Sequence, residues 1–348
     1  MFGESVGGEN SMSSSDAVLH EVRQAAGALL RELQQIEGDL SSSQSGEMLY
    51  LSLAAALDRC MRRLAALEFW GPENRLPSSE LWNVAGHLLS RGWLQNQART
   101  KPRGYAGDYE TLVRIYENRL CDDRLGRLFD RYFQEQAAPG AVRNRMEMIA
   151  DWIVDAAIRP DGPNATEGVP YRVSIVGSAF GLEVRDALRQ LNPAQRENIY
   201  VTLIDLDPTA IEFARGQLSP LLAENGLTAL STNLFRLPER PQEASVLAGS
   251  DLMFCPGLFD YLDDTAAIAM LPILYEQLSP GGRLTIFQFA PHNPTRAYME
   301  WMANWYLIYR DANGLRTLVE SAGLPDAECS VGAEALGVDL YAAIARAT

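Results

Sequence analysis

From Asp16 to about Leu40 the apolar positions Val18, Leu19, Val22, Ala26, Leu29, Leu30, Leu33 and Ile36 recur at helical spacing, which predicts a helix with one buried face. After the polar break Ser41–Ser45, a second helix carries Met48, Leu51, Leu53, Leu57, Met61, Leu64 and Leu67 on a similar pattern. Two antiparallel helices are the simple outcome. Ser78–Arg91, Tyr109–Glu117 and Asp122–Gln136 also read as amphipathic helices.

The period changes after Arg159. Pro160, Gly162, Pro163, Asn164, Gly168 and Pro170 make a turn-rich loop. Short apolar runs follow at Arg172–Val176, Ile199–Ile204, Asp251–Cys255 and Arg283–Phe289, separated by helical stretches. Such alternation predicts parallel strands joined by crossover helices. Glu328–Gly332 and Val338–Ala345 read as a terminal antiparallel pair. The expected fold is α/β: a Rossmann-like, mainly parallel sheet with flanking helices, preceded by an N-terminal helical cap. The expected boundaries are a disordered tail over 1–15, a helical cap or lid over 16–140, and the sheet domain over 141–348.

The first strand runs into Val173-Ser-Ile-Val-Gly-Ser-Ala-Phe-Gly181, ahead of a helical segment. Gly177, Ser178, Ala179 and Gly181 are small, so a ligand can approach the backbone at this turn. The second strand ends in Leu203-Ile-Asp-Leu-Asp-Pro208. A carboxylate at Asp205 can accept both ribose hydroxyls of a nucleoside, while Asp207 and Pro208 read as the N-cap and first-turn proline of the next helix. Ala179 stands where a stricter dinucleotide motif has glycine. That loss is easier to accept for S-adenosylmethionine (SAM), which has no phosphate to cradle, than for NAD. Asn233 and Leu234, after the third strand, are placed to border adenine. Cys255, Pro256 and Gly257 follow the fourth strand and fall near the methionine part, with Tyr261 close by. Leu278-Ser-Pro-Gly-Gly-Arg-Leu-Thr-Ile286 reads as a helix exit, a two-glycine turn and a strand.

Charge narrows the function. A net charge of −15 opposes a phosphate-tracking surface, so no nucleic-acid partner is expected. Cys60, Cys121, Cys255 and Cys329 form no CxxC pair and no Cys/His metal pattern, so they read as structural thiols and no metal is expected. No signal-like start and no membrane-spanning run is evident, which makes the cytoplasm the expected compartment.

In the order of its pieces, from roughly Arg143 onward, the chain resembles a class I SAM-dependent methyltransferase. Lys101-Pro-Arg-Gly-Tyr-Ala-Gly-Asp108, Ala141-Val-Arg-Asn-Arg145, Gly257-Leu-Phe-Asp-Tyr-Leu262 and Trp305-Tyr-Leu-Ile-Tyr-Arg310 are similar to a bacterial family for biosynthesis of 3-hydroxypalmitic acid methyl ester. The resemblance implies SAM as cofactor and a small-molecule acceptor, fatty-acid-like or amino-acid-like. A homodimer stays open. The chain departs from the pattern at Ala179 and at Phe287-Gln-Phe-Ala-Pro291, and Gln288 bears on the identity of the acceptor.

Lys101–Asp108 is too rich in Gly, Pro and charge for a plain connector and reads as a lid. Tyr105 can lay its ring against the sulfonium or the adenine. Arg143 and Asn144 are candidates for the SAM carboxylate or for fixing the lid, and Arg145 for a structural ion pair. Trp301, Trp305, Tyr306 and Tyr309 are expected on one helical stretch ending at Arg310, which either closes the last turn or pairs with Asp260. Tyr105, Tyr261 and His292 are the candidate catalytic groups. The expected activity is methyl transfer, with an oxygen of a carboxylate or hydroxyl as acceptor. Two alternatives are intramolecular use of SAM, giving azetidine-2-carboxylate and methylthioadenosine, and a non-catalytic SAM-binding regulatory module.

Overall fold

A computed structural model describes residues 14–40, 46–158, 169–177 and 180–348. Ser178 and Ala179, residues 1–13 of the expected tail and residues 159–168 of the expected turn-rich loop lie outside this set. The chain divides into two compact units. One comprises residues 1–100, 120–132 and 296–306, and the other 101–119, 133–295 and 307–348.

The first unit is helical. Its elements are α1 (Ser14–Asp39), α2 (Gly46–Ala65), α3 (Arg75–Leu89), α4 (Trp93–Thr100), most of α6 (Arg124–Gln134) and α12 (Arg296–Trp301), with α5 (Tyr109–Tyr116) belonging to the other unit. The two helical periods read from the sequence meet here. Val22, Ala26, Leu29 and Leu33 of α1 and Leu53, Leu57 and Leu64 of α2 are all sealed from solvent, and α1 packs against both α2 and α3.

The expected helix over Trp301–Arg310 is corrected. Helix α12 ends at Trp301, and 304–310 run without regular structure. Asn304 adopts a left-handed φ of 47°, and the Trp305 amide donates back to the Met299 carbonyl at 2.9 Å. This bond, from an amide six positions further along the chain, closes the end of the helix around a left-handed residue, a conformation that asparagine tolerates better than most.

The second unit is a seven-stranded sheet in the order β3-β2-β1-β4-β5-β7-β6. Its strands are β1 (Tyr171–Val176), β2 (Ile199–Asp205), β3 (Leu227–Ser231), β4 (Ser250–Cys255), β5 (Leu278–Phe289), β6 (Glu328–Ala333) and β7 (Asp339–Ala345). Strands β1 to β5 pair in parallel, while β7 joins β5 and β6 antiparallel. The helices α7 (Ala137–Ile158), α8 (Leu182–Gln190), α9 (Pro193–Glu197), α10 (Pro208–Leu218), α11 (Asp264–Tyr275) and α13 (Ala312–Ser321) complete this unit. Two apolar clusters line the sheet. One joins β1 and β2 to α7, α8 and α10, and the other joins β4, β5 and β7 to α11 and α13. The fold is thus α/β and Rossmann-like, accompanied by a helical N-terminal region. The Pro280–Gly282 turn is absorbed into β5 as a register shift opposite Ser250 and Leu252.

The order reverses at β1, where β2 lies on one side and β4 on the other. In open parallel sheets the crevice at such a switch point, outside the strand carboxyl ends, is where ligands bind.

Candidate functional site

Three strand ends converge at Gly177. Its φ is +70°, in the left-handed region that favours glycine, and its amide donates to the Ile204 carbonyl at 2.9 Å. A Cβ there would stand 3.3 Å from Leu234 Cδ1 and 3.4 Å from Leu258 Cβ, so the segments after β1, β3 and β4 share one small space. Gly181, also at φ +70°, opens α8, and a Cβ on it would come within 3.0 Å of Leu218 Cδ1. Asn233 is exposed and accepts from the Phe235 amide at 3.1 Å, while Leu234 is buried.

Asp205 ends β2 and is 4 % exposed. Its Oδ1 accepts from the Asp207 amide at 2.8 Å, which ties the carboxylate to the turn that opens α10. Asp207 caps α10 by accepting from the Thr209 amide at 2.8 Å, with Pro208 in the first turn. It also has a second task. The Arg103 guanidinium donates to Asp207 Oδ2 at 3.2 Å and to Glu110 Oε1 at 2.9 Å, and it lies 4.5 Å over the Tyr109 ring. The Lys101–Asp108 loop is therefore tied to the β2–α10 turn at one end. At the other, Asp108 caps α5 by accepting from the Thr111 amide at 2.9 Å.

Tyr105, in the middle of this loop, is half-buried. Burial pushes its phenol well above the ordinary value, and the charges of Asp205, Asp207 and Asp108, with Tyr261, add to the effect. The phenol is thereby held in its protonated form. Tyr105, Asp205 and Tyr261 thus share one neighbourhood, although they are far apart in sequence. Cys255, which ends β4, and Pro256 after it are buried, and burial holds the Cys255 thiol neutral. Gly257 differs, because a Cβ built on it meets nothing within 4 Å. Open space therefore adjoins the end of β4.

Other expected residues have protein partners of their own. Arg143 donates to Gln134 Oε1 at 2.9 Å and to the Gln134 carbonyl at 2.8 Å. Asn144 donates to Glu334 Oε2 at 2.6 Å. Both are engaged in holding α7 to its neighbours. Arg145 is the buried member of the trio and donates through Nη1 to Asp339 Oδ2 at 2.7 Å. His292 is exposed, with Nε2 2.9 Å from the Gly337 carbonyl.

Gln288 is sealed from solvent. It donates to Asp260 Oδ1 at 3.0 Å and to the Ile308 carbonyl, and it accepts from Arg310 Nη1 at 2.6 Å. Arg310 pairs directly with Asp264 at 2.7 Å and reaches Asp260 only through Gln288. Burial pushes the Asp260 carboxyl up to about 8, the Asp339 charge adding to it, while the Phe289 amide, Arg145 and Arg310 oppose. Gln288 thus braces the segment after β4 rather than facing outward.

The sequence reading missed Arg103 as the tether of the loop, the second role of Asp207, and the sealed carboxylate of Glu183, 1 % exposed in the first turn of α8. The first two had a faint signal in the alternation of cations and carboxylates around the loop. Glu183 had none, because an acidic residue in a first helical turn is ordinary. Among the described residues no cluster of potential metal ligands is found, and no helix is long and apolar enough to cross a membrane.

No protein-family model and no curated protein matches the sequence. Solved structures do. A possible exported protein from Bordetella parapertussis superposes with a TM-score of 0.55 at 15% identity, covering 97% of this chain and 100% of that one. The CurJ carbon methyltransferase gives a TM-score of 0.50 at 13% identity, covering 96% and 93%. At this distance the likeness is one of fold, and the Rossmann-like fold of this chain is shared with that methyltransferase.

Proposed function

We propose that the chain is a class I SAM-dependent methyltransferase that acts on a small molecule, with transfer to an oxygen of a carboxylate or hydroxyl. The observation that carries this reading is the grouping of Asp205 with the protonated Tyr105, beside the left-handed Gly177, at the switch point of the sheet. SAM supplies a sulfonium methyl carbon that a nucleophile attacks in line. Asp205 accepts the ribose hydroxyls. Leu234 and the turn at Gly177 border the base and sugar, and the open space at Gly257 leaves room for the aminobutyrate chain. Tyr105 offers its ring to the sulfonium, an attraction of about 0.5 to 2 kcal/mol depending on desolvation.

Catalysis on this reading rests on proximity and exclusion of water. A carboxylate acceptor is already ionised and needs no base, which suits a site where Tyr105 is held protonated. A hydroxyl acceptor would draw on Asp260, Tyr261 or His292. The acidic chain, at −15, favours a small acceptor over nucleic acid.

The test is mass spectrometry of products from SAM with and without candidate fatty and amino acids, with Asp205→Ala as the binding control. S-adenosylhomocysteine formed only with acceptor is the expected result. Methylthioadenosine formed from SAM alone would replace methyl transfer by intramolecular cyclisation. Unaltered SAM affinity in Asp205→Ala would remove the nucleoside from this site.

A further inference from the structure

Two arginines of the helical unit meet at Tyr306 without a carboxylate partner. Arg75 opens α3, and Arg99 lies in the last turn of α4. No ion pair among the described residues includes either, while Glu80 and Glu300, carboxylates of the same segments, pair with Arg23 and Arg296. Arg99 is held in one orientation. Its guanidinium lies 4.5 Å over the Trp82 ring, Nη1 donates to Ser78 Oγ at 2.8 Å, and Nη2 donates to the Ser78 carbonyl at 3.3 Å. Burial lowers it to about 10 with only Tyr306 opposing, so it stays charged at neutral pH. The Arg75 guanidinium lies 5.9 Å from the centre of the Tyr306 ring. Ser78 and Trp82 follow Arg75 at helical spacing, which puts all three on one face of α3. The Tyr306 hydroxyl donates at 2.9 Å to Asn304 Oδ1, which is also 2.9 Å from Ser78 Oγ. All of these residues belong to the same unit.

Donors exceed acceptors here. Ser78 occupies the Nη1–Nη2 end of the Arg99 guanidinium and leaves its Nε–Nη2 edge without an acceptor among the described residues. The Trp82 indole N–H has none either. Arg99, Trp82 and Tyr306 are only half-buried and Arg75 is exposed, so the cluster is reached from solvent. In a chain of net charge −15, unpaired positive charge gathered at one place draws an anion there. The planar fork of a guanidinium edge matches the two oxygens of a carboxylate, and charge-assisted bonds of this kind are the strong ones. We propose that Arg99 and Arg75 form a binding site for a small organic carboxylate. Its two oxygens accept from the Nε–Nη2 edge of Arg99, Arg75 closes over the charge, and the apolar body lies along the rings of Trp82 and Tyr306. The site is complete within the helical unit and does not rest on the nucleoside site. The methyl acceptor and a separate effector molecule are both sources of this chemistry.

Calorimetric titration of the full chain with benzoate, and with benzamide as its neutral counterpart, tests this at fixed ionic strength in wild type, Arg99→Gln and Arg75→Gln. Wild type is expected to bind benzoate about 10-fold or more tightly than benzamide. Arg99→Gln is expected to weaken benzoate about 10-fold and Arg75→Gln about 3-fold, with benzamide affinity within about 2-fold of wild type in each. Arg75 is exposed and its side chain holds no other element, so Arg75→Gln decides the matter even where loss of the Ser78 bonds unfolds Arg99→Gln. Benzoate bound no more tightly than benzamide by wild type, or benzoate affinity unchanged in the folded variants, overturns the carboxylate site. Where the site stands, competition names its source. A carboxylate that is methylated in the product assay and displaces benzoate identifies the acceptor, and one that is methylated while benzoate stays bound identifies a separate effector.

Discussion

Arg145 donates to Asp339 at 2.7 Å with side chains only 3% and 0% exposed, joining α7 to the start of β7. A pair so enclosed is costly to desolvate, and removing one partner strands the other charge, at about 3 to 5 kcal/mol. Arg145→Met and Asp339→Leu should each lower unfolding stability by that order in urea titrations. The double variant should lose much less than the sum, because no buried charge is left over. Single variants within about 0.5 kcal/mol of wild type would mean that the pair is not sealed as described.

Glu183 gives a pH signature. Its carboxyl is raised to about 7 by burial, with Asp186 adding and its own amide, Arg145 and Arg185 opposing, while Tyr116 faces it from α5. A group whose folded value lies above its unfolded one contributes stability that is complete below about pH 4.5 and is lost as pH rises through about 7. Glu183→Gln removes that loss. The variant should match wild type near pH 4.5 and exceed it at pH 8 by up to about 3 kcal/mol. Parallel stability profiles for the two proteins across this range would contradict the unpartnered carboxylate.

Gly257 separates ligand space from fold. Since nothing lies within 4 Å of a Cβ built there and no positive φ is required, Gly257→Val should fold with a melting temperature close to that of wild type. Its side chain would enter the space assigned to SAM, and affinity for S-adenosylhomocysteine should fall about 10-fold or more, equivalent to about 1.4 kcal/mol. Full affinity in a folded variant would show that the ligand does not pass this point.

The Arg103–Asp207 contact holds the loop that carries Tyr105. The pair is partly exposed, with side chains 23% and 8% accessible, so its worth is modest, about 1 kcal/mol after screening. Arg103→Met should raise the dissociation constant for S-adenosylhomocysteine roughly 3- to 10-fold, and should flatten its dependence on salt. Equal salt dependence in variant and wild type would exclude a role for this ion pair in holding the loop.

How much of this was legible varies residue by residue. The strand ending at Asp205 could be read directly, because a hydrophobic run followed by Asp-Leu-Asp-Pro carries its strand end, N-cap and helix start in eight residues. Gly177 and Gly181 gave a weaker signal, because small residues after a strand also mark a plain tight turn. The helix expected through Arg310 failed because aromatic spacing reports periodicity but not the left-handed turn at Asn304 that ends it. Gln288 looked like a departure at the ligand edge. In the fold its amide is enclosed by Asp260, Ile308 and Arg310, partners 20 to 28 residues away.

The amino-acid sequence by itself determined the alternating sheet half, the helical half, and the carboxylate at the end of the second strand, since each is written in local periodicity and turn chemistry. Tertiary structure alone decided that the charge of Asp205 acts on Tyr105, that Arg103 ties its loop to Asp207, and that Glu183 and Arg145 are both buried, on helices packed against each other. These are relations among groups on different elements. They depend on which strand ends the crossover helices bring together and on which polar atoms the packing leaves without water, neither of which local periodicity encodes.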